Sequence, residues 1–273
     1  MAMMLATGIW VRTLTDDHPL AARIASAFDT LDVVSPKPGE IPTDIAGSER
    51  IVDAIAAKLG PIGAFKLGAT IAQVRATLGL PQQFFGPIPQ SRIFPDGGNV
   101  PAVMARQRGV ESEYAFRLGR DLTAADADLD MPGLLAAIAS VHPSIEVPGS
   151  RFSGLGAHGG FGLVADTGAV GSLVVGPGSP LGDPARLTDA PVILEIEGQD
   201  PIPGGGAVID GGPIGPLLTF IKTALARGYA LKAGQFIVSG SCTGYVDVPV
   251  GKLVTARFTA LDSVVTMRFA AAA

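Results

Sequence analysis

Two glutamates, Glu111 and Glu113, stand two positions apart in "GVESEYAFRLGRDL", residues 109–122. In a strand, residues i and i+2 point to one face, so these two share a side with Ala115 and Arg117, opposite Ser112, Tyr114, Phe116 and Leu118. The pattern leaves two readings. Such alternation is ordinary for a half-buried strand with a solvated face. The second, which the pair alone cannot establish, is a carboxylate pair at a hard divalent cation, Mg2+ or Mn2+, which removes the like-charge repulsion by binding through oxygen. A third acid, Glu146 in "PSIEVPG", sits between Ile145 and Val147. It reads either as a surface ion-pair partner or as the third carboxylate of such a site, with positions left for substrate and water.

Lys66, in "AFKLGAT", lies between Phe65 and Leu67 on a short apolar strand. A lysine so placed ordinarily snorkels to the surface. Turned inward, it would orient a bound carboxylate or donate a proton, and burial would depress its pKa. His18, His142 and His158 share no ligand spacing, which argues against zinc. The segment "GLGAHGGFG" imitates a nucleotide loop but lies in no strand-turn-helix unit. In "SGSCTGYVDV", Ser239, Ser241, Cys242 and Thr243 lack a histidine motif, so hydroxyl and N–H contacts to a ligand carboxylate suit them better than nucleophilic attack.

The elements that must hold these residues follow from periodicity. Apolar spacing predicts helices over 17–29, with Asp17 as cap, and over 47–59, with Ser48 as cap, joined by a proline-rich connector. Residues 1–60 therefore read as a helical arm and 61–273 as the main body. "GAFKLGAT" reads as a strand, "IAQVRATLGL" as a helix, and "PQQFFGPIPQSRIFPDGG" as a long, functional loop. Further on come the strand with the two glutamates, a helix near 131–140, a short strand "SIEV", strands at "PVILEIEG" and "QFIVSG", a helix near 214–228, and a closing hairpin around Leu261 and Asp262. Regular strand and helix alternation is missing, so the fold class reads as α+β, a mixed or antiparallel β roll with peripheral helices.

Composition narrows the partners. The chain has 273 residues, 47% hydrophobic and 16% charged, enough for a large core. A net charge of −5, dispersed cations and only three tyrosines and one tryptophan argue against a nucleic-acid interface. The single cysteine, Cys242, fits a reducing compartment. "MAMMLATGIWVR" lacks a basic n-region and a cleavage site, and no apolar run reaches the ~18 residues of a membrane span, so a cytoplasmic protein is expected.

Taken in order, "AFKLGAT", "FFGPI", "IFPDGG", "VESEYAFRLGRDL", "PSIEVPGSRF", "GLVADTGAVGSLVVG" and "PIGPLLTFIKTALARGYALKAGQFIVSGSCTG" resemble the 2-keto-4-pentenoate hydratase and 4-oxalocrotonate decarboxylase branch of the fumarylacetoacetate hydrolase superfamily. The resemblance spans about residues 62–269. It implies a mixed β roll in which Glu111, Glu113 and Glu146 hold Mg2+ or Mn2+, with Lys66 as the catalytic lysine. It further implies substrate contacts from Phe84, Phe85, Gly86, Asp166 and Thr243. The implied activity is a metal-dependent lyase of aromatic-compound catabolism, hydratase or decarboxylase, acting on a small 2-oxo or 2-hydroxydienoic acid within a homo-oligomer. A glutamate as third acid favours this branch over the carbon-carbon hydrolases, which typically carry aspartate there.

Two departures qualify the resemblance. The hydratases often read P-D-F-G where this chain has "QFFG", so Phe84 replaces an acid. Where A-D-N-A-S is usual the chain has "ADTGA", with Ala169 in place of a serine. Phe84 points toward decarboxylation or an unusual substrate. A carbon-carbon hydrolase of acylpyruvate type ranks lower, since no histidine lies in 60–120 to activate water. A catalytically reduced member that binds a 2-oxo acid is the third reading.

Overall fold

The computed structural model describes residues 18–270. It opens with two helices, α1 (Pro19–Ser26) and α2 (Ile45–Ala56). Pro19 stands in the first turn of α1, where its missing N–H costs nothing. Asp17, the expected cap, lies outside the described residues. α2 begins earlier than its apolar spacing predicts, because Asp44 rather than Ser48 caps it, accepting from the Gly47 N–H at 2.6 Å. Ser48 instead lies inside the helix, where its hydroxyl donates to the Asp44 carbonyl.

Next come β1 (Ile62–Gly68), α3 (Ala72–Leu78), β2 (Phe84–Pro89), β3 (Ile93–Pro95) and β4 (Gly98–Val100). The long loop expected over 81–98 is therefore mostly strand. Its prolines misdirect the reading: β2 is an edge strand, and Pro87 and Pro89 are tolerated where half the backbone need not pair. α4 (Ala102–Ala105), β5 (Gly109–Leu118), α5 (Met131–Ala137), β6 (Ile138–Pro148), α6 (Gly159–Ala165) and β7 (Val170–Val175) follow. The last third holds α7 (Pro184–Asp189), β8 (Pro191–Ile196), β9 (Ile202–Gly205), α8 (Gly215–Ala226), β10 (Phe236–Val238), β11 (Val246–Asp247), β12 (Val254–Phe258) and β13 (Ser263–Phe269).

One sheet runs β2-β1-β10-β5-β6-β7-β3, with β11 paired to β5; the other runs β4-β13-β12-β8-β9. Parallel pairs (β1 with β10, β3 with β7, β13 with β4) sit among antiparallel ones, so both sheets are mixed. Tyr114, Phe116, Val141 and Ile145 of the first sheet share a core with Val192, Leu194, Val254 and Phe258 of the second. On the other face of the first sheet, Leu20 and Ile24 of α1 and Ile51 and Ile55 of α2 pack with Ala64, Ile88, Ala115, Leu173 and Val238. The first sheet is thus the middle of three layers, and β5 is its most embedded strand. Among the described residues no helix is long and apolar enough to cross a membrane.

Candidate metal centre and its cavity

The pleat sends Glu111, Glu113 and Ala115 to the face that α1 and α2 cover, but those helices pack at the Ala115 end. At the other end of β5 a cavity of about 540 Å³ opens, lined by Lys66, Glu111 and Glu113 among others. Antiparallel pairing sets Glu146 of β6 directly opposite Glu111. Carboxylate oxygens of Glu111, Glu113 and Glu146 lie within 4.8 Å of one another. Glu113 and Glu146 are buried and Glu111 is half-buried, so this is no solvated strand face.

Backbone pairing supplies the remaining geometry. From β10 to β11 the chain tracks β5 closely: Cys242 N–H donates to the Ser112 carbonyl at 2.8 Å, and Ser112 N–H donates to Thr243 Oγ1 at 3.1 Å. This brings the Gly240 N–H to Glu113 Oε2 at 2.7 Å. Gly240 has φ +94°, and a β-carbon there would meet Thr70 Oγ1 at 2.3 Å, so glycine alone fits. Lys66, on β1, puts its Nζ 3.1 Å from Glu146 Oε1.

Burial, then repulsion from Glu111 and Glu146, pushes the Glu113 carboxyl well above its ordinary range, against the opposing pull of Lys66 and the Gly240 N–H. Burial also raises Glu146; Lys66 opposes the rise and Glu111 adds to it. For Lys66, burial would depress the ammonium, but Glu146, Glu111 and Glu113 outweigh it and the pKa rises. The depressed lysine expected from the sequence is therefore reversed, and Lys66 holds its proton. Neither Glu146 oxygen receives a well-aligned hydrogen bond. Three convergent carboxylates, one of them ion-paired to the neighbouring Lys66, form a donor set that fits a hard divalent ion.

The other residues singled out in the sequence divide. Phe84 and Thr243 line the cavity. Phe85 does not: it points into the core against Phe65, Phe220 and Tyr229, with the Arg227 guanidinium 4.2 Å above its ring. Gly86 is a packing position, since a β-carbon there would lie 2.0 Å from the Thr167 carbonyl oxygen. Asp166 is fully buried and faces Arg151, which meets its Oδ1 through Nε at 2.7 Å, while Ser150 Oγ and the Arg151 N–H donate to Oδ2. Arg151 also donates to Thr167 Oγ1 and to the Asp166 and Val170 carbonyls. The pair pins Thr167, Gly168 and Ala169, three consecutive residues with φ of +56°, +64° and +56°, of which the last two wall the cavity.

Burial pushes the Cys242 thiol up, away from nucleophilic use. Ser241, expected from the sequence to contact a ligand, lines the cavity, and so do Tyr245, Leu155 and Val208, which the sequence reading does not single out. The hydroxyl-rich "SGSCTGY" was the available signal for Tyr245.

No protein-family model matches the chain. It is 31% identical over 206 residues, 74% of either chain, to a 2-keto-4-pentenoate hydratase of Paraburkholderia xenovorans (strain LB400). In three dimensions it superposes on a 4-oxalocrotonate decarboxylase from Pseudomonas putida G7, complexed with magnesium and adipate. The TM-score is 0.82 at 24% identity, over 93% of this chain and 97% of the other. A fumarylpyruvate hydrolase from Pseudomonas aeruginosa, in complex with Mn2+ and pyruvate, matches at TM-score 0.56 and 15% identity, over 76% and 88% of the two chains. The fold is thus shared with both of these structures, and the sequence identity with the hydratase places the chain in the 2-keto-4-pentenoate hydratase family.

Proposed function

We propose that the chain is a Mg2+- or Mn2+-dependent lyase that hydrates or decarboxylates a 2-oxo or 2-hydroxydienoic acid. The observation that carries this reading is the convergence of Glu111, Glu113 and Glu146 beside a buried, protonated Lys66 at the floor of a ligand-sized cavity. Glu111, Glu113 and Glu146 would hold the ion. When bound, it supplies Lewis acidity toward negative charge developing on the 2-oxo oxygen. Lys66 contributes a fixed positive charge for the acid's own carboxylate and a proton at Nζ. Gly240 holds Glu113 in place, and Gly168 and Ala169 wall the cavity. A carbon-carbon hydrolase is disfavoured because none of the three histidines lines the cavity.

The test is spectroscopic. Protein stripped with EDTA and reloaded with Mg2+ or Mn2+ is expected to deplete the ultraviolet absorbance of 2-hydroxypenta-2,4-dienoate or 2-hydroxymuconate, and NMR of the product separates added water from released CO2. Unchanged absorbance for both acids with either metal overturns the proposal.

A further inference from the structure

We infer that the protein carries a second ligand site, for a small organic carboxylate with a flat apolar body, at the end of β5 opposite the metal centre. It depends neither on the metal nor on the reaction. Along β5 the residues on one face run Glu111, Glu113, Ala115, Arg117. α1 and α2 cover this row at Ala115, so the two acids open into one cavity and Arg117 into another. The second recess has a volume of about 530 Å³ and shares no lining residue with the first. Four residues of extended strand put Arg117 roughly 13 Å from Glu113.

The frame of the recess is fixed before any ligand arrives. Ile62 opens β1, Gln90 follows β2, Arg117 lies near the end of β5, and residues 232–236 lead into β10. Gln235 braces these pieces: its Nε2 donates to the Ile62 carbonyl at 2.8 Å, and its Oε1 accepts from the Lys232 N–H at 2.7 Å. Gly234 has φ +89°, and a β-carbon there would lie 3.4 Å from Arg117 Nη2, so the guanidinium rests along bare backbone. Gln90 lies over Gly63 in the same way, where a β-carbon would collide with its Oε1.

Charge names the ligand. The chain has 25 acidic and 20 basic residues, yet none of those lining the recess is acidic. Lys232 is engaged, its Nζ 2.8 Å from Asp121 Oδ2, while the Ala233 N–H donates to the other oxygen of Asp121. Among the described residues Arg117 has no ion pair and no hydrogen bond, and its charge bears on His142, which it disfavours in the protonated form. An unpaired planar fork of N–H donors matches the two oxygens of a carboxylate. Ile62 and Phe236, both half-buried, give apolar surface beside it, so a flat hydrocarbon body gains burial once its head is paired. No acid, histidine, cysteine or hydroxyl side chain lines the recess, which therefore binds its ligand without transforming it.

Three histidines make the test direct. The His142 ring stands edge-on to Phe236 with centroids 5.1 Å apart, whereas His158 packs on Phe152 and His18 precedes α1. In NMR of Mg2+-loaded protein carrying ring-13C histidine, benzoate is expected to move the His142 signal saturably and to leave the other two in place. Acetate, which keeps the head and lacks the body, should need roughly tenfold more to reach half-saturation. Arg117→Gln should raise the benzoate concentration at half-saturation by about tenfold or more while Mg2+ affinity stays unchanged. A His142 signal that ignores benzoate, or that moves as readily in Arg117→Gln, overturns the inference. So does half-saturation by inorganic phosphate below that by benzoate, which would make the recess a phosphate site. If Arg117→Gln instead dissociates an oligomer in sedimentation velocity, an acidic group of a second copy fills the recess and the inference falls.

Discussion

Glu113 is held by opposed demands: its backbone belongs to the most embedded strand, and its carboxylate is buried beside two others. Without a cation, that crowding works against the fold, because removing an ionised group from water near like charges costs more than one N–H returns. Glu113→Gln should therefore melt at a higher temperature than the unaltered protein in EDTA, since Gln Oε1 can still accept from Gly240. In Mn2+ the order should reverse. The unaltered protein gains about 2.7 kcal/mol at a hundredfold excess over its dissociation constant, and the variant gains little. Differential scanning calorimetry in EDTA and in Mn2+ reads both outcomes. His142 gives a separate, acid-side effect. Its Nε2 meets Ser140 Oγ, its Nδ1 meets the Gly176 carbonyl, and burial, with Arg117 adding to it, lowers its pKa below 6.5. The folded-state pKa is thus depressed, so the contribution is complete above about pH 6.5 and is lost as pH falls through the folded value. Urea melts between pH 8 and 5 should show a smaller acid loss for His142→Gln than for the unaltered protein.

Among the elements, those whose signal is local were legible and those made by pairing were not. Amphipathic spacing found α1, α2 and α8, and alternation found β5, β12 and β13, including the turn at Asp262, whose φ of +47° closes the hairpin. By contrast, only "SIEV" of β6 was read as strand, because Pro143 and the polar residues before it gain their extended form from the ladder with β5. The same limit hid the role of Asp166. The family resemblance implied a ligand contact, and only the fold shows that Arg151 and Ser150 occupy both its oxygens and leave the 167–169 turn as the wall. That wall and the Phe84 ring form one packing unit. Gly168→Ala should destabilise the fold, since its β-carbon would lie 2.4 Å from the ring at a φ that favours glycine. Phe84→Ala should remove most of the steric part of that penalty. A double-mutant cycle in urea is expected to show coupling of about 0.5–3 kcal/mol; strict additivity would mean that the ring and the turn are independent.

At the scale of the whole molecule, the ordered run of family-like segments was legible from Lys66 to the closing strands, and so was the acid cluster once Glu146 was set beside Glu111 and Glu113. The cavity mouth was not. Val74, Leu155 and Val208 come from three unrelated stretches, and no period links them; they meet because the three layers leave that end of the first sheet open. One further property follows from how the acids are mounted. Glu111 and Glu146 sit on a continuous hydrogen-bonded ladder, and a backbone N–H anchors Glu113, so their separation is set when the strands pair rather than when an ion arrives. Loading should then take place in a single kinetic step, with no slow phase of protein rearrangement after it. Stopped-flow mixing of the metal-free protein with Mn2+ should give one exponential whose rate rises linearly with ion concentration. A second, concentration-independent phase would show that the ladder yields. A single exponential would make the centre, in timing, a rigid receptor whose clock is the ion's own shedding of water.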